Sequence, residues 1–488
     1  MTTWREPVVV DTERYDPAEV SAAGLRNHHV ANTAYPLAHE QTWGPYRVAR
    51  SAIDSSAREA WQSIRDLCLY VHVPFCETRC SFCEYTVVRR DEGTDDHVRR
   101  YFDALLGEIE LWRSRVAFGQ RRIHGLDVGG GTPAYAPAGE IERVLDVLRS
   151  RFAFAPESDI SIETTPRIAA DDPAKIRAWR AMGIDRVSMG IQVVQPDLLK
   201  ILERDANGAD EHVRATANIR AAGFDRFNVD LMYGFHRQSL ASWEVTLAHA
   251  IALGPEYVTL YRMRYKLTRI SHHAPHVKLD DVRAMGTLAR EMLLAAGYWA
   301  NPGKTTYSRR AGDVGTSSYL ARRVTDGIPY LGFGLGAQSY SDTTISYNDG
   351  AVGKNLLPYI RSVDHGRLPV QDFYDLPACQ MMAKMCAVSF YFGEIDHTAF
   401  ARKFGVEFSE AYSAQVQWLT AQGWMEWTPR TFRLTPMGAK NVHGIIPLFY
   451  APGTQRYLIE RDPDRAEDMD RSRRAALRVA GEARVAGG

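Results

Sequence analysis

Cysteine is scarce in this chain, six in 488 residues, and three of the six fall in one short loop. A disulfide framework spreads its cysteines, so none is expected here, and the distribution points to a reducing compartment. Net charge is absent as well, with 59 Lys and Arg against 59 Asp and Glu. Proteins that bind nucleic acid through its phosphates carry a basic excess, which removes nucleic acid from the expected partners. No apolar run reaches the ~18–20 residues of a membrane span. The first residues, MTTWREPVVVD, lack the charged-then-apolar pattern of a signal peptide. The expectation is a cytoplasmic protein without membrane contact. Its 45% hydrophobic and 24% charged residues are the proportions of a packed globular fold, and its length suits a barrel plus a second module.

What is present concentrates at 70–85, YVHVPFCETRCSFCEY. Cys76, Cys80 and Cys83 are spaced C-x3-C-x2-C. Three thiolates on one loop can hold three irons of a [4Fe–4S] cube and leave the fourth iron open, and an open position is what makes a metal site catalytic. Structural zinc is the plain alternative. It needs four ligands; no fourth cysteine is near, and His72 lies on the approach strand, where its side chain is not expected to swing into the loop.

Around this loop the chain alternates short apolar runs with amphipathic stretches. Strands are predicted at 67–75, 125–133, 159–166, 186–192, 227–235 and 257–263, with helices at 95–118, 138–152, 173–182, 196–203, 209–223 and 239–253 between them. Continuous apolar strands separated by helices are βα units of a parallel sheet. Six of them predict an α/β fold, a partial, open (β/α)6 barrel over 67–370. The segment 1–66 is an extension packing on the barrel, with a helix over 51–66 and nothing that suggests chemistry. Residues 371–455 predict a small helical, winged-helix-like C-terminal domain: helices at 377–392, 396–404 and 409–422, then a hairpin at 424–438. Cys379 and Cys386, seven apart on one helical face, are expected to be core thiols. Residues 456–488 form a charged tail, solvated or disordered. GFGLGA (332–337) lacks the strand-helix context of a dinucleotide loop and predicts close backbone packing near the cofactor instead.

In βα barrels chemistry gathers where strands end at their C-termini, and the polar residues fall there. GGGTP (129–133) ends the second strand, and glycines let backbone approach a ligand with no Cβ between. Glu163 ends the third strand and can accept from a ribose diol or an ammonium. Gln192 ends the fourth, Arg204 follows it, and Asp230 lies on the fifth. An Arg and two carboxylates at one mouth suit a zwitterionic, polyhydroxylated ligand.

The motifs YVHVPFC, CSFC, GGGTP, SIETTP, RVSMGIQ and NVDLMYG together resemble the oxygen-independent coproporphyrinogen III oxidase family of radical SAM proteins over about 70–340, with an echo at 433–449. The resemblance implies a [4Fe–4S] cluster on Cys76, Cys80 and Cys83, two molecules of S-adenosylmethionine (SAM), and a reductase- or flavodoxin-type electron donor. It implies Tyr70, Gly130 and Glu163 as contacts of the cluster-bound SAM, and Phe82, Gly131, Thr132, Gln192, Arg204 and Asp230 as contacts of the second. Where the porphyrinogen decarboxylases have a further Cys two positions after the third ligand, this chain has Tyr85. RMRYKLTR (262–269) also departs from their pattern, and CETRCSFCEYTVV looks most like class C radical SAM methyltransferases and cyclopropanases. That likeness implies transfer of a SAM-derived methylene or methyl to an sp2 carbon of an aromatic or alkene small molecule, with Tyr85, Tyr261, His272 and His273 as candidate catalytic residues. The other readings are oxidation or ring-opening of a tetrapyrrole, with Arg262, Arg264, Lys266 and Arg269 supplying a basic pocket, and a haem chaperone.

Overall fold

The computed structural model describes residues 13–89, 95–116, 121–265, 268–310 and 312–462. Its centre is the set of six strands the sequence predicts: β1 (Asp66–Val73), β2 (Arg122–Gly130), β3 (Ile160–Thr164), β4 (Arg186–Gln192), β5 (Phe227–Tyr233) and β6 (Tyr257–Arg262). They pair in chain order, every pair parallel. β1 and β6 do not pair with each other, so the barrel stays open. Beyond β6 lies Thr306–Ser308, antiparallel, and beyond β1 lies Tyr330–Phe333, parallel. Three further strands, Gln338–Tyr340, Thr344–Asn348 and Val370–Asp375, continue that side antiparallel.

The strands read as nearly unbroken apolar runs because helices cover their outer faces. Leu67, Leu69, Val71 and Val73 of β1 are all buried. The helix Ala138–Arg151 presents Ile141, Val144, Leu145 and Leu148 to the sheet at three- and four-residue spacing. Ser239 starts Leu240–Ala252 by accepting from the Ser242 amide.

Two glycines of GFGLGA explain that run. A Cβ on Gly334 (φ +102°) would stand 2.6 Å from the His72 carbonyl, and one on Gly336 2.8 Å from Thr86. The close packing is real, but its partners are β1 and the end of the cysteine loop; the run does not line the cavity described below.

The C-terminal module has the helices Ala378–Ser389 and His397–Phe404, and the single helix expected at 409–422 is divided into Phe408–Ala411 and Ser413–Ala421. The hairpin Met425–Trp427/Thr431–Leu434 gains a third strand, Glu394–Asp396. Cys386 is buried and Cys379 half-buried.

Both chain ends differ from expectation. Ile53–Trp61 does pack on the barrel core, but Pro17–Arg26 packs on Val442–Ile445 and Pro452–Glu460, which belong to the C-terminal module. Residues 456–460, expected in a solvated tail, complete the helix Pro452–Glu460, whose Thr454, Gln455 and Leu458 are buried; the tail beyond 462 lies outside the described residues. No helix among the described residues is long and apolar enough to cross a membrane.

Candidate active site

A cavity of about 680 Å³ opens at the C-terminal ends of the strands, in the upper part of the ~300–1,000 Å³ range of small-molecule sites. Cys76, Cys80 and Cys83 line it. The cysteine loop leaves β1 and is pinned where it starts and turns. Gly131 N–H donates to the Val73 carbonyl and Thr132 N–H to that of Phe75, both at 2.8 Å, and Ser81 Oγ donates to the Ile201 carbonyl at 2.9 Å. His72 stays out of the loop, as expected. It is buried with Nε2 2.8 Å from the Thr86 carbonyl, and burial lowers its imidazole to about 4.

The three thiols suit a polynuclear iron cluster better than one zinc ion. Among the described residues, the one group of His, Cys, Asp and Glu side chains close enough to share a single ion is His39, Glu40 and Asp372, far along the chain from the cysteines and already paired with Arg47. Polar groups also meet the sulfurs: Arg204 Nη1 donates to Cys80 Sγ at 3.4 Å, and Thr132 Oγ1 lies 3.5 Å from Cys76 Sγ. Hydrogen bonds to sulfur are one of the levers by which proteins set an iron–sulfur potential.

Beside the cysteines stand most of the polar residues singled out from the sequence: Gly130, Gly131, Thr132, Glu163, Gln192, Arg204 and Asp230, with Phe82. Gly130 (φ +117°) donates its N–H to Glu163 Oε2 at 3.3 Å. A Cβ on Gly129 would meet that carboxylate at 2.9 Å, so glycine is what lets Glu163 lie against the turn. Desolvation, then Asp230 and Asp127, raise the Glu163 carboxyl to about 8. Gln192 sits at a bulge of β4 with φ +69°, and its Oε1 is buried without a partner. A buried orphan acceptor costs free energy unless a ligand donor fills it. Arg204 donates Nη2 to the Gly190 carbonyl. Asp230 is held from below, accepting from Ser188 Oγ at 2.7 Å and Asn228 Nδ2 at 2.8 Å. Two carboxylates, an orphan acceptor and glycine-bared backbone on one wall fit a cationic amino-acid nucleoside.

Three expected residues stand elsewhere. Tyr70 is not on the cavity wall; its ring stacks on Tyr319 and its hydroxyl lies 3.3 Å from His72 Nδ1. His272 and His273 do not line the cavity either. They gather with His236 and His276 at the 3-10 turn Ser271–His276, which ends short of the wall. The cavity's histidines are different ones: His28 and His29 of the N-terminal segment and His443 of the C-terminal module. Position in sequence gave no sign of them. Tyr85 and Tyr261 do reach the cavity, 57% and 39% exposed into it. Desolvation, then Asp230, holds the Tyr261 phenol well above its usual range.

Two of the basic residues lining the cavity, Arg264 and Arg283, are paired with carboxylates. Arg264 pairs with Glu84, and Arg269, outside the wall, with Glu203. Lys304 Nζ donates to the Val314 carbonyl at 2.6 Å, and Lys354 Nζ to the carbonyls of Glu84 and Tyr85 at 2.9 Å. Lys266 lies outside the described residues.

Residues 70–250 match the radical SAM superfamily. Oxygen-independent coproporphyrinogen III oxidase of Escherichia coli (strain K12) is 30% identical over 317 residues, 62% of this chain and 66% of that protein. The Paracoccus denitrificans protein of the same name is 33% identical over 304 residues, 59% and 65%. The heme chaperone HemW of Synechocystis is 27% identical over 294 residues, 56% and 66%. The chain thus spans just under two thirds of the length of the curated relatives it matches. Among solved structures, E. coli coproporphyrinogen III oxidase superposes with a TM-score of 0.68 at 23% identity, covering 86% of this chain and 96% of that one, which establishes a shared fold. With an open parallel barrel and three cysteines on the loop after its first strand, residues 70–250 are a domain of the radical SAM superfamily.

Proposed function

We propose that this chain is an enzyme that holds a [4Fe–4S] cluster on Cys76, Cys80 and Cys83 and binds two SAM molecules beside it. It transfers a SAM-derived one-carbon unit to an sp2 carbon of an aromatic or alkene small molecule, as methylation or cyclopropanation, with electrons from a reductase- or flavodoxin-type donor. The observation that carries this reading is that the cysteine triad and the expected SAM contacts other than Tyr70 line one cavity. When bound, cluster and SAM supply a carbon-centred radical, chemistry no side chain provides.

The chain's own residues position and exclude. Gly130 and Glu163 form one cradle, where the bared backbone and a carboxylate face a ligand's amino-acid and ribose groups. Gln192, Arg204 and Asp230 form a second, with an orphan acceptor, a guanidinium fixed by the Gly190 carbonyl and a carboxylate fixed by two donors. Fixing both ligands removes orientational freedom that would otherwise oppose reaction. Tyr261, exposed on the cavity wall, offers Oη as a donor that orients the substrate.

Oxidation of a tetrapyrrole is the second reading, favoured by the relatives' name. A substrate with several carboxylates asks for several free cations, and of the four basic residues expected to supply them Arg264 and Arg269 are neutralised by Glu84 and Glu203. This favours the one-carbon reading. Equilibrium dialysis of cluster-loaded protein against SAM tests it: about two molecules bound per chain are expected, falling to one in Asp230→Ala. A wild-type stoichiometry of one would contradict the proposal, and tight haem retention without SAM turnover would favour a chaperone.

A further inference from the structure

Arg262 ends β6 and lines the cavity where the barrel, the N-terminal segment and helix Leu279–Ala295 meet. Its Nη2 donates to His28 Nδ1. Its Nη1 is buried and has no hydrogen-bond partner. Among the described residues no carboxylate pairs with it. The groups that act on its charge are Tyr233, Tyr265 and Arg283, after desolvation.

Its surroundings do not supply the missing anion. Arg283, the nearest cation, is itself committed to Asp280, Asn441 and the Lys440 carbonyl. His28, His29 and His443 crowd the same wall, and burial together with Arg262 keeps all three imidazoles neutral. Neutral rings neither repel an incoming anion nor replace one. A guanidinium taken out of water without a counter-charge is costly, and its planar fork is shaped for two parallel bonds to an oxyanion. The contrast with Arg264 and Arg269, both ion-paired, sets Arg262 apart on this segment.

We infer that Arg262 is the anchor for a single oxyanion, carboxylate or phosphoryl, carried by the small-molecule substrate, with His28 holding the guanidinium in place. The inference rests on the reading that the cavity takes a small aromatic or alkene substrate, and it narrows that class to members carrying a carboxylate or phosphoryl group. His28 occupies one side of the fork and leaves Nη1 for the ligand.

The test is binding, measured without turnover. Cluster-loaded protein saturated with SAM is titrated calorimetrically with 2-naphthoate, 2-naphthyl phosphate and the neutral isostere 2-naphthamide. At least one anionic probe should bind tenfold or more tightly than the amide. Arg262→Gln should erase that preference and Arg262→Lys should keep most of it, with iron content and SAM affinity unchanged in both. Which anion wins distinguishes planar carboxylate from tetrahedral phosphoryl. No binding by any probe, equal binding of amide and anions, or a preference that survives in Arg262→Gln overturns the inference. So does a fall in SAM affinity matching the loss of anion binding, since the guanidinium would then serve the cofactor's carboxylate. Failure of the one-carbon reading shows separately, in the SAM stoichiometry.

Discussion

Glu163 faces the cavity, where a bound ligand would meet its carboxyl. Burial and the neighbouring Asp230 and Asp127 raise its carboxyl to about 8. A ligand that donates to it, by ribose hydroxyl or ammonium, favours the ionised form. Below pH 8 binding therefore expels a proton, and above it the carboxylate is already formed. Calorimetry of SAM binding at pH 7 in two buffers of different ionisation enthalpy should show the wild type releasing about one proton more than Glu163→Gln. The difference should shrink as pH rises past 8. Equal release in the two proteins would mean that Glu163 does not meet the ligand. At this scale the sequence was a good guide to residues whose role depends on where a strand ends. Cys76, Glu163, Gln192 and Asp230 all lie within or just past strands whose apolar runs are unmistakable. It was a poor guide to His272 and His273, which are close in number to β6 but leave it on a turn that carries them off the wall.

The turn Gly129–Gly131 is the element on which the cysteine loop is hung. Gly131 lies so close to the start of that loop that an added Cβ would stand 2.7 Å from the Pro74 backbone and 2.9 Å from the Phe75 carbonyl. Neither is the end of a flexible side chain, so Gly131→Ala must push β2 away from the loop. Overpacking of this kind costs about 1–3 kcal/mol. The variant should melt lower and hold less iron per chain after reconstitution than wild type. Wild-type iron content and melting temperature together would show that the turn tolerates a side chain. The barrel's elements were legible because each strand is buried on both faces and each helix on one, which writes their periods into the sequence. The third strand of the C-terminal sheet was not. Glu394–Asp396 is three residues long and pairs with Thr431–Leu434 across some 35 positions, and no local pattern marks it.

Across the whole molecule, the N-terminal segment is bound to the C-terminal module more than to the barrel. Asn27 Nδ2 donates to the Leu458 carbonyl at 3.2 Å, Tyr450 Oη to the Asn32 carbonyl at 2.6 Å, and Tyr35 to Gln380. His443 Nδ1 lies 2.9 Å from the Ala31 carbonyl. These contacts join residues more than 340 positions apart, which is why the segment read as a plain extension. They also bring His28, His29 and His443 to the cavity, which is thus lined by three parts of the chain.

The most direct test follows the hydrogen. Protein with its cluster reconstituted is incubated anaerobically with methyl-deuterated SAM and dithionite, and the 5′-deoxyadenosine formed is weighed by mass spectrometry. Deuterium in that product, absent in Cys80→Ala, is the result expected if the methyl of a second SAM stands beside the first. Abundant 5′-deoxyadenosine without deuterium would contradict the account.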